Sequence, residues 1–500
     1  MLINRRNLLV VFISFFLLVL AARLSASPNI LLIIADDMGV ETLASYGLGE
    51  NPPVTAAIDT MAQEGMRFNN FWSQPVCSPT RATIFTGRYG FRTEIGRPVG
   101  PSGPLPAIAD QPASASAESG GGGRGGMGGR GGMGGRGGMG GDTVTAAQSA
   151  LPRSHLRPQE FTLPTAFKAD EGLGYSTAAI GKWHLATTAN GWLNHPNLAG
   201  FDFYAGTIGG APESYFSWTQ VVNGQVTSTT GYAPSDKISD AVSWIDDQDD
   251  RPWLLSFSFN IPHTPLHLPP EEYWQSDHSA LDRHSMPAQG LQDYFYAMIE
   301  AMDTFIGRLL ASLDSETREN TYVIFLGDNG TSSNVISAPF RAGRAKGTIY
   351  EGGVNVPLII TGPGVHGGGV SEALVNSTDL FFTIMEMAGI DPKQVVPNNV
   401  TTDSVSFLPV LSDPNAPSQR AWIYADEFFG GYSGLESPFY DYAMRNQRYK
   451  LLRFNGEEEF YDLQEDPYEY SDLLEEGLSP AEESHYASLK REVRELHDSN

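Results

Sequence analysis

Short apolar runs alternate with amphipathic stretches along this chain, and four of the runs end on polar, chemistry-bearing residues. Asn29–Ile34 leads through Ala35 into Asp36 and Asp37, and Ser176–Ile180 leads into Gly181-Lys182-Trp183-His184. Trp253–Phe259 leads into Asn260-Ile261-Pro262-His263, and Thr321–Leu326 leads into Gly327-Asp328-Asn329. Such runs predict buried strands, and the amphipathic stretches between them predict helices. The alternation predicts an α/β fold, a mixed and mostly parallel sheet sandwiched by helices. Ligands of open α/β sheets bind beyond the carboxyl ends of the strands, so the four tips are expected to converge on one site.

The pattern breaks twice. Between Pro101 and Ser149 it gives way to a Gly-rich tract with Arg-Gly-Gly-Met recurring around Arg124, Arg130 and Arg136, which predicts a disordered, solvent-exposed insertion. Beyond residue 400 the runs become short and aromatic. Trp422-Ile423-Tyr424, Tyr442–Arg445 and Tyr449–Phe454 precede Asn455-Gly456, the signature of antiparallel strands and a hairpin. A polar amphipathic helix is expected from Glu482 to His497. The organisation predicted is a catalytic domain over 28–400, interrupted at about 101–149, and a smaller α+β domain with an antiparallel sheet over 401–500.

The N-terminus changes the picture of where the chain works. Arg5 and Arg6 precede an apolar run from Leu8 to Leu20, and Ser25-Ala26-Ser27 offers small residues for cleavage. This reads as a signal peptide over 1–27 and predicts an exported protein, periplasmic or secreted. The formal net charge of −26 argues against nucleic acid or a membrane surface as a stable partner. An anionic substrate must therefore be held by a local cluster of cations.

Cys77 is the single cysteine among 500 residues, so it forms no internal disulfide. It stands in Pro75-Val76-Cys77-Ser78-Pro79-Thr80-Arg81, followed by Thr86-Gly87. Pro79 suits the first turn of a helix and Ser78 its cap, which puts Cys77 where free N–H groups and the helix dipole favour an anion. Arg81, one turn on, adds a cation suited to bidentate binding of oxyanions. Asp36-Asp37 and Asp328-Asn329 offer three carboxylates and an amide, a hard-oxygen set that favours Ca²⁺ or Mg²⁺ over zinc. Lys182 and His184, two apart, would face one side of an extended segment.

These stretches together resemble the type I, formylglycine-dependent sulfatases of the alkaline phosphatase superfamily. The resemblance rests on C-x-P-x-R at Cys77–Arg81 and G-K-W-H-L at Gly181–Leu185. It extends to P-H-x-P at Pro262–Pro265, to Lys346-x-x-x-x-Glu351-Gly352-Gly353 before Val356-Pro357, and to Tyr461-Asp462-Leu463 with Asp466-Pro467 near the C-terminus. It implies that Cys77 is oxidised to formylglycine by a maturation enzyme, and that Asp36, Asp37, Asp328, Asn329 and the modified Cys77 bind one Ca²⁺. It further implies that Arg81, Lys182 and Lys346 bind sulfate, that His184 contacts the formylglycine and that His263 lies by the leaving-group oxygen.

A hydrated aldehyde can attack sulfur with one hydroxyl and use the other to expel sulfate, which a thiol cannot do. In this reading Asp328 takes the nucleophile's proton, His263 and Lys346 protonate the leaving alcohol and His184 assists elimination. Glu351 is expected to brace its loop and His267 to lie at the surface or behind the site. Arg341 and Arg344 are either solvated loop charges or contacts to an acidic sugar. Tyr215–Trp218 and Phe428-Phe429 are either core or platforms for sugar rings.

The activity implied is sulfate release from an organic sulfate ester, with a sulfated carbohydrate as the expected partner. Two alternatives stay open: a phosphonate monoester or phosphodiester hydrolase of the same superfamily, and a non-catalytic binder of sulfated glycans. A zinc phosphatase would need Ser or Thr in place of Cys77 and more histidine ligands.

Overall fold

A computed structural model describes residues 27–100, 154–170, 172–283 and 290–499. The expected signal segment, apart from Ser27, and the Gly-rich insertion lie outside the described residues. Ten strands form one sheet: β1 (Asn29–Ala35), β2 (Met66–Trp72), β3 (Ser176–Lys182), β4 (Phe203–Thr207), β5 (Trp218–Val222), β6 (Gln225–Thr229), β7 (Trp253–Ser258), β8 (Thr321–Gly327), β9 (Leu358–Thr361) and β10 (Gly369–Asn376). Their order is β10-β2-β9-β8-β1-β7-β3-β4-β5-β6. The centre, β8-β1-β7-β3-β4, is parallel throughout, and β9, β5 and β6 pair antiparallel. The fold is the mixed, mostly parallel α/β sheet expected. The four runs with polar tips are the four adjacent strands β8, β1, β7 and β3, so their carboxyl ends lie side by side.

Strand β1 shows why both faces are covered. Ile30, Leu32 and Ile34 enter one core with Phe85, Trp183 and Leu380, while Leu31 and Ile33 enter the other with Met298 and Phe305. The two-residue period sends alternate side chains to opposite faces, and each face needs a helical layer. On the second face lie α1 (Ala56–Glu64), α3 (Ala233–Asp246) and α4 (Leu291–Ser312); on the first lie α2 (Cys77–Thr86) and α5 (Asp379–Met387).

The C-terminal strands β11 (Ile423–Phe428), β12 (Tyr440–Arg445), β13 (Tyr449–Phe454) and β14 (Glu457–Asp462) form a separate antiparallel sheet. Asn455 (φ 54°) and Gly456 (φ 87°) both take the left-handed conformation, which a two-residue type I′ hairpin requires. The terminal helix α6 spans Pro480–Asp498 and starts earlier than Glu482, because Ser479 and Glu482 form a reciprocal capping box around Pro480.

Lys450 on β13 is fully buried and ties this sheet to the rest of the molecule. Its ammonium lies 3.2 Å from Glu351 and 2.7 Å from Glu469, under the ring of Trp72. Glu351 therefore braces an interface, reaching the C-terminal sheet as well as its own loop. Lys450→Met should take the ammonium from two buried carboxylates, of which Glu351 keeps Arg445 at 3.5 Å, and cost about 3 kcal/mol. Denaturant unfolding measures this, and an unchanged midpoint would remove the cluster from the stabilising interactions.

Candidate active site

Helix α2 begins directly beyond β2, and all ten of its residues are buried. Val76, extended, is the N-cap, and no side chain caps the helix. Ser78 is thus not the cap expected. Its hydroxyl donates to the His184 carbonyl (2.8 Å) and accepts from the Val99 amide (2.9 Å), pinning two loops beside Cys77. Cys77 occupies the first helical position with its amide free of an intrahelical partner, so the anion-favouring geometry holds although the cap residue differs.

The four strand tips meet Cys77. The Arg81 guanidinium donates to Asp328 Oδ2 (2.8 Å) and to the Lys182 carbonyl (2.9 Å). Lys182 Nζ bonds both oxygens of Asp36 at 2.8 and 2.7 Å. Lys346 Nζ lies 2.5 Å from Asp37, and Asn329 Nδ2 donates to Asp37 Oδ1 (2.9 Å). His184 Nδ1 lies 3.2 Å from Cys77 Sγ, and its Nε2 lies 3.2 Å from the Val99 carbonyl. A carbonyl only accepts, so Nε2 carries the proton and Nδ1 presents its lone pair to residue 77. His263 donates from Nδ1 to the Thr264 carbonyl (2.7 Å), leaving Nε2 facing Asp37 at 3.9 Å. All ten candidate residues come together. Strand alternation is not what aligns His184 with Lys182, however: His184 lies beyond β3 with φ 58°, and that turn aims its ring at Cys77.

Burial and charge set the protonation states. Burial raises Asp328 to about 6, with Asp36 adding to the effect against Arg81. Asp36 is likewise pushed up by burial and by Asp37 despite Lys182. Burial acts the same way on Asp37, but Lys346, His263 and Lys182 outweigh it and hold this carboxyl far below the ordinary range. Burial and the surrounding cations push His184 well down, and burial chiefly lowers His263 to about 4, so both imidazoles are neutral at pH 7. The Cys77 thiol is pushed up by burial.

The donor set fits a hard divalent cation. Oxygens of Asp36 and Asp328 lie within 4.8 Å of each other and of Cys77 Sγ, and Asp36, Asp37 and His263 form a second such group. Asn329 Oδ1 is buried without a hydrogen-bond partner among the described residues. An orphaned carbonyl oxygen beside three crowded carboxylates is the electrostatic situation that bound Ca²⁺ relieves.

Three neighbours were assigned no site role from the sequence, and one of them, Lys237, carried no signal at all. Lys237, in Asp236-Lys237-Ile238 of α3, looks like a solvated helix charge, yet it is buried over the Trp218 ring (4.7 Å) and bonds Asn260 Oδ1. Burial lowers it to about 7. Asn260, at the tip of β7, bonds the Gly210 carbonyl (2.9 Å) and Thr207. Tyr215 donates to the carbonyls of Asn260 (2.5 Å) and His263 (2.9 Å). His267 is half-buried behind the site: it stacks on Tyr215 and accepts from Tyr232 Oη (2.9 Å). Arg344 packs over Tyr350 and bonds Tyr461, whereas Arg341 is exposed over Tyr470. Phe428 is core, as are Tyr215 and Trp218, while Phe216 is exposed.

Glu41 lies just past the Asp36-Asp37 tip, 1% exposed, and burial raises its carboxyl from about 4.5 to about 7. The folded state then binds more protons than the unfolded state between these values, so this group's contribution falls as pH rises through that window and stays low above it. Glu41→Gln, neutral at every pH, should gain about 3 kcal/mol relative to the parent on going from pH 4 to pH 8. Urea unfolding at both values checks this; a pH-independent difference would contradict it.

The family model described as Sulfatase matches residues 28–115 and 137–390, and one described as N-sulphoglucosamine sulphohydrolase, C-terminal, matches 344–499. The ulvan-active sulfatase of Formosa agariphila is 26% identical over 491 residues, covering 94% of this chain and 82% of that protein. The N-acetylgalactosamine-6-sulfatase of Canis lupus familiaris is 28% identical over 429 residues, covering 78% and 67%. Among solved structures, Ps i-CgsB in complex with k-i-k-neocarrahexaose superposes with a TM-score of 0.70 at 21% identity, covering 94% of this chain and 92% of that one. BT4656 in complex with its substrate D-glucosamine-2-N,6-O-disulfate gives 0.65 at 19% identity, covering 95% and 99%. At these identities the structural likenesses establish the fold.

Proposed function

Because this chain belongs to the sulfatase family and is a sulfuric ester hydrolase, we propose that it releases sulfate from a sulfated carbohydrate outside the cytoplasm, using Ca²⁺ and a Cys77 matured to formylglycine. The observation that carries this reading is the convergence of Cys77, three cations and three carboxylates on one buried point. The cations and carboxylates are paired with one another, so a divalent cation would leave the site positively charged toward the single negative charge of a sulfate ester. The carbohydrate rests on relatives whose names specify ulvan and N-acetylgalactosamine 6-sulfate chemistry, and export on the signal-like N-terminus.

Asp36, Asp37, Asp328 and Asn329, with the modified residue 77, would hold Ca²⁺, which would supply positive charge against the sulfate oxygens, while the aldehyde hydrate at residue 77 would supply the nucleophile. Arg81, Lys182 and Lys346 orient the sulfate and stabilise charge developing on its oxygens, in a site whose burial excludes bulk water. His184 Nδ1, with Nε2–H committed to Val99, takes a proton from residue 77 when sulfate is expelled. Lys346 Nζ holds the proton available to the departing sugar oxygen, with His263 Nε2 beside it. Asp328 anchors Arg81 and accepts the proton released by the attacking hydroxyl.

Steady-state kinetics on defined sulfated saccharides, an aryl sulfate and an aryl phosphodiester test the proposal. The sulfate esters should be favoured in kcat/KM, and a clear preference for the phosphodiester would transfer the assignment to the phosphoester branch.

A further inference from the structure

Phe216 is one of six large apolar side chains left exposed among the described residues, and it is carried by a segment fastened to the site. After β4 the chain runs through Gly209-Gly210, and Gly210 lies so close to the His184 ring that an added Cβ would come within 2.8 Å of it. The Gly210 carbonyl is bound by Asn260 (2.9 Å), and Tyr215 grips the carbonyls of Asn260 and His263. The next residue, Phe216, is 44% exposed. Its ring rests at 5.2 Å on Tyr232 and at 5.4 Å, edge-on, on His267, two groups joined by their own hydrogen bond. The ring is thus immobilised from beneath while leaving surface open, on the ledge that also carries His263. Glu213 and Ser217, both exposed, flank it with polar groups.

We propose that Phe216 is a specificity-determining platform, stacking on the apolar C–H face of the pyranose ring that bears the sulfate. This deepens the hydrolase reading and rests on it. The platform requires that a sulfated sugar, its anion among Arg81, Lys182 and Lys346, extend its ring past His263 toward this segment, where Tyr215 holds the His263 carbonyl. A rigid aromatic ring loses little entropy on binding, and flanking polar groups provide hydrogen bonds for sugar hydroxyls.

Binding measured on the inactive Cys77→Ala chain keeps the test independent of turnover. Calorimetric titration with 2-, 4- and 6-O-sulfated hexosamines and ulvan oligosaccharides, with inorganic sulfate as the ringless control, compares this chain with versions also carrying Phe216→Ala or Phe216→Trp. The best saccharide should weaken by about tenfold in Phe216→Ala and recover in Phe216→Trp, with sulfate binding moving less than twofold in either. Any of three results would overturn the platform: saccharides binding no tighter than sulfate, a loss shared equally by sulfate, or a loss that tryptophan does not restore. If saccharides bind as expected yet the mature enzyme releases no sulfate, the hydrolase reading fails and the platform stands.

Discussion

Cys77→Ala is expected to abolish sulfate release, a loss of about 10⁴-fold or more, and Cys77→Ser should do the same unless the host's maturation system accepts serine. The geometry explains why a thiol is insufficient. Cys77 Sγ faces the His184 lone pair at 3.2 Å, and burial pushes the thiol up, away from the reactive thiolate. An attacking thiolate would end as a stable S-sulfonate, whereas an aldehyde hydrate keeps a second hydroxyl with which to expel sulfate. Every residue of Cys77–Thr86 is buried, so an oxidising enzyme must reach this stretch before the chain closes around it. Conversion lowers the mass of the peptide carrying residue 77 by about 18 Da, and activity should scale with the converted fraction. A fully active preparation whose Cys77 still alkylates as a free thiol would refute the mechanism. Folding without conversion should leave stability nearly intact, since the packing of α2 depends on Ala82, Ile84 and Phe85.

Removal of the metal should have an effect of comparable size. A chelator is expected to bring sulfate release to background and Ca²⁺ to restore it, with the melting temperature rising as calcium is added. Asp328 joins the proposed metal site to its cations: it pairs with Arg81, accepts from the Asp37 amide at 3.2 Å and stands beside Asp36. Asp328→Ala should lose about 10³-fold in activity and also about 3–5 kcal/mol in stability, because Arg81 would be left buried and unpaired. Asp328→Asn preserves the shape and separates the two effects, losing metal affinity with a smaller loss of stability. Elemental analysis of dialysed, active enzyme showing stoichiometric zinc and neither calcium nor magnesium would sink the assignment.

The split between what could be read from the sequence and what could not follows from the range of the interactions. The central strands were legible because a strand buried on both faces must be apolar along its whole length, as Ile30–Ile34 is, and because its polar continuation marks where burial ends. Cys77, Arg81, Lys182, His184, His263 and Lys346 were singled out because they sit in short local motifs that resemble those of the family, and the fold brings them together. The hairpin at Asn455-Gly456 was legible because its conformation is a property of two residues. Ser78 as a cap was not borne out, because its hydroxyl found better partners in Val99 and His184, 21 and 106 residues away. Lys237 was invisible for the same reason: nothing in a helix sequence says that its ammonium will be covered by Trp218 and Asn260. Sequence alone determined the parallel sheet and singled out Cys77 and the charged residues that the fold gathers around it. Tertiary structure decided which carboxylate pairs with which cation, which nitrogen of His184 faces Cys77, and that Phe216, alone of the three aromatic residues between Tyr215 and Trp218, turns outward. Each of these depends on contacts between strand tips far apart along the chain, and only the folded sheet brings them within bonding distance.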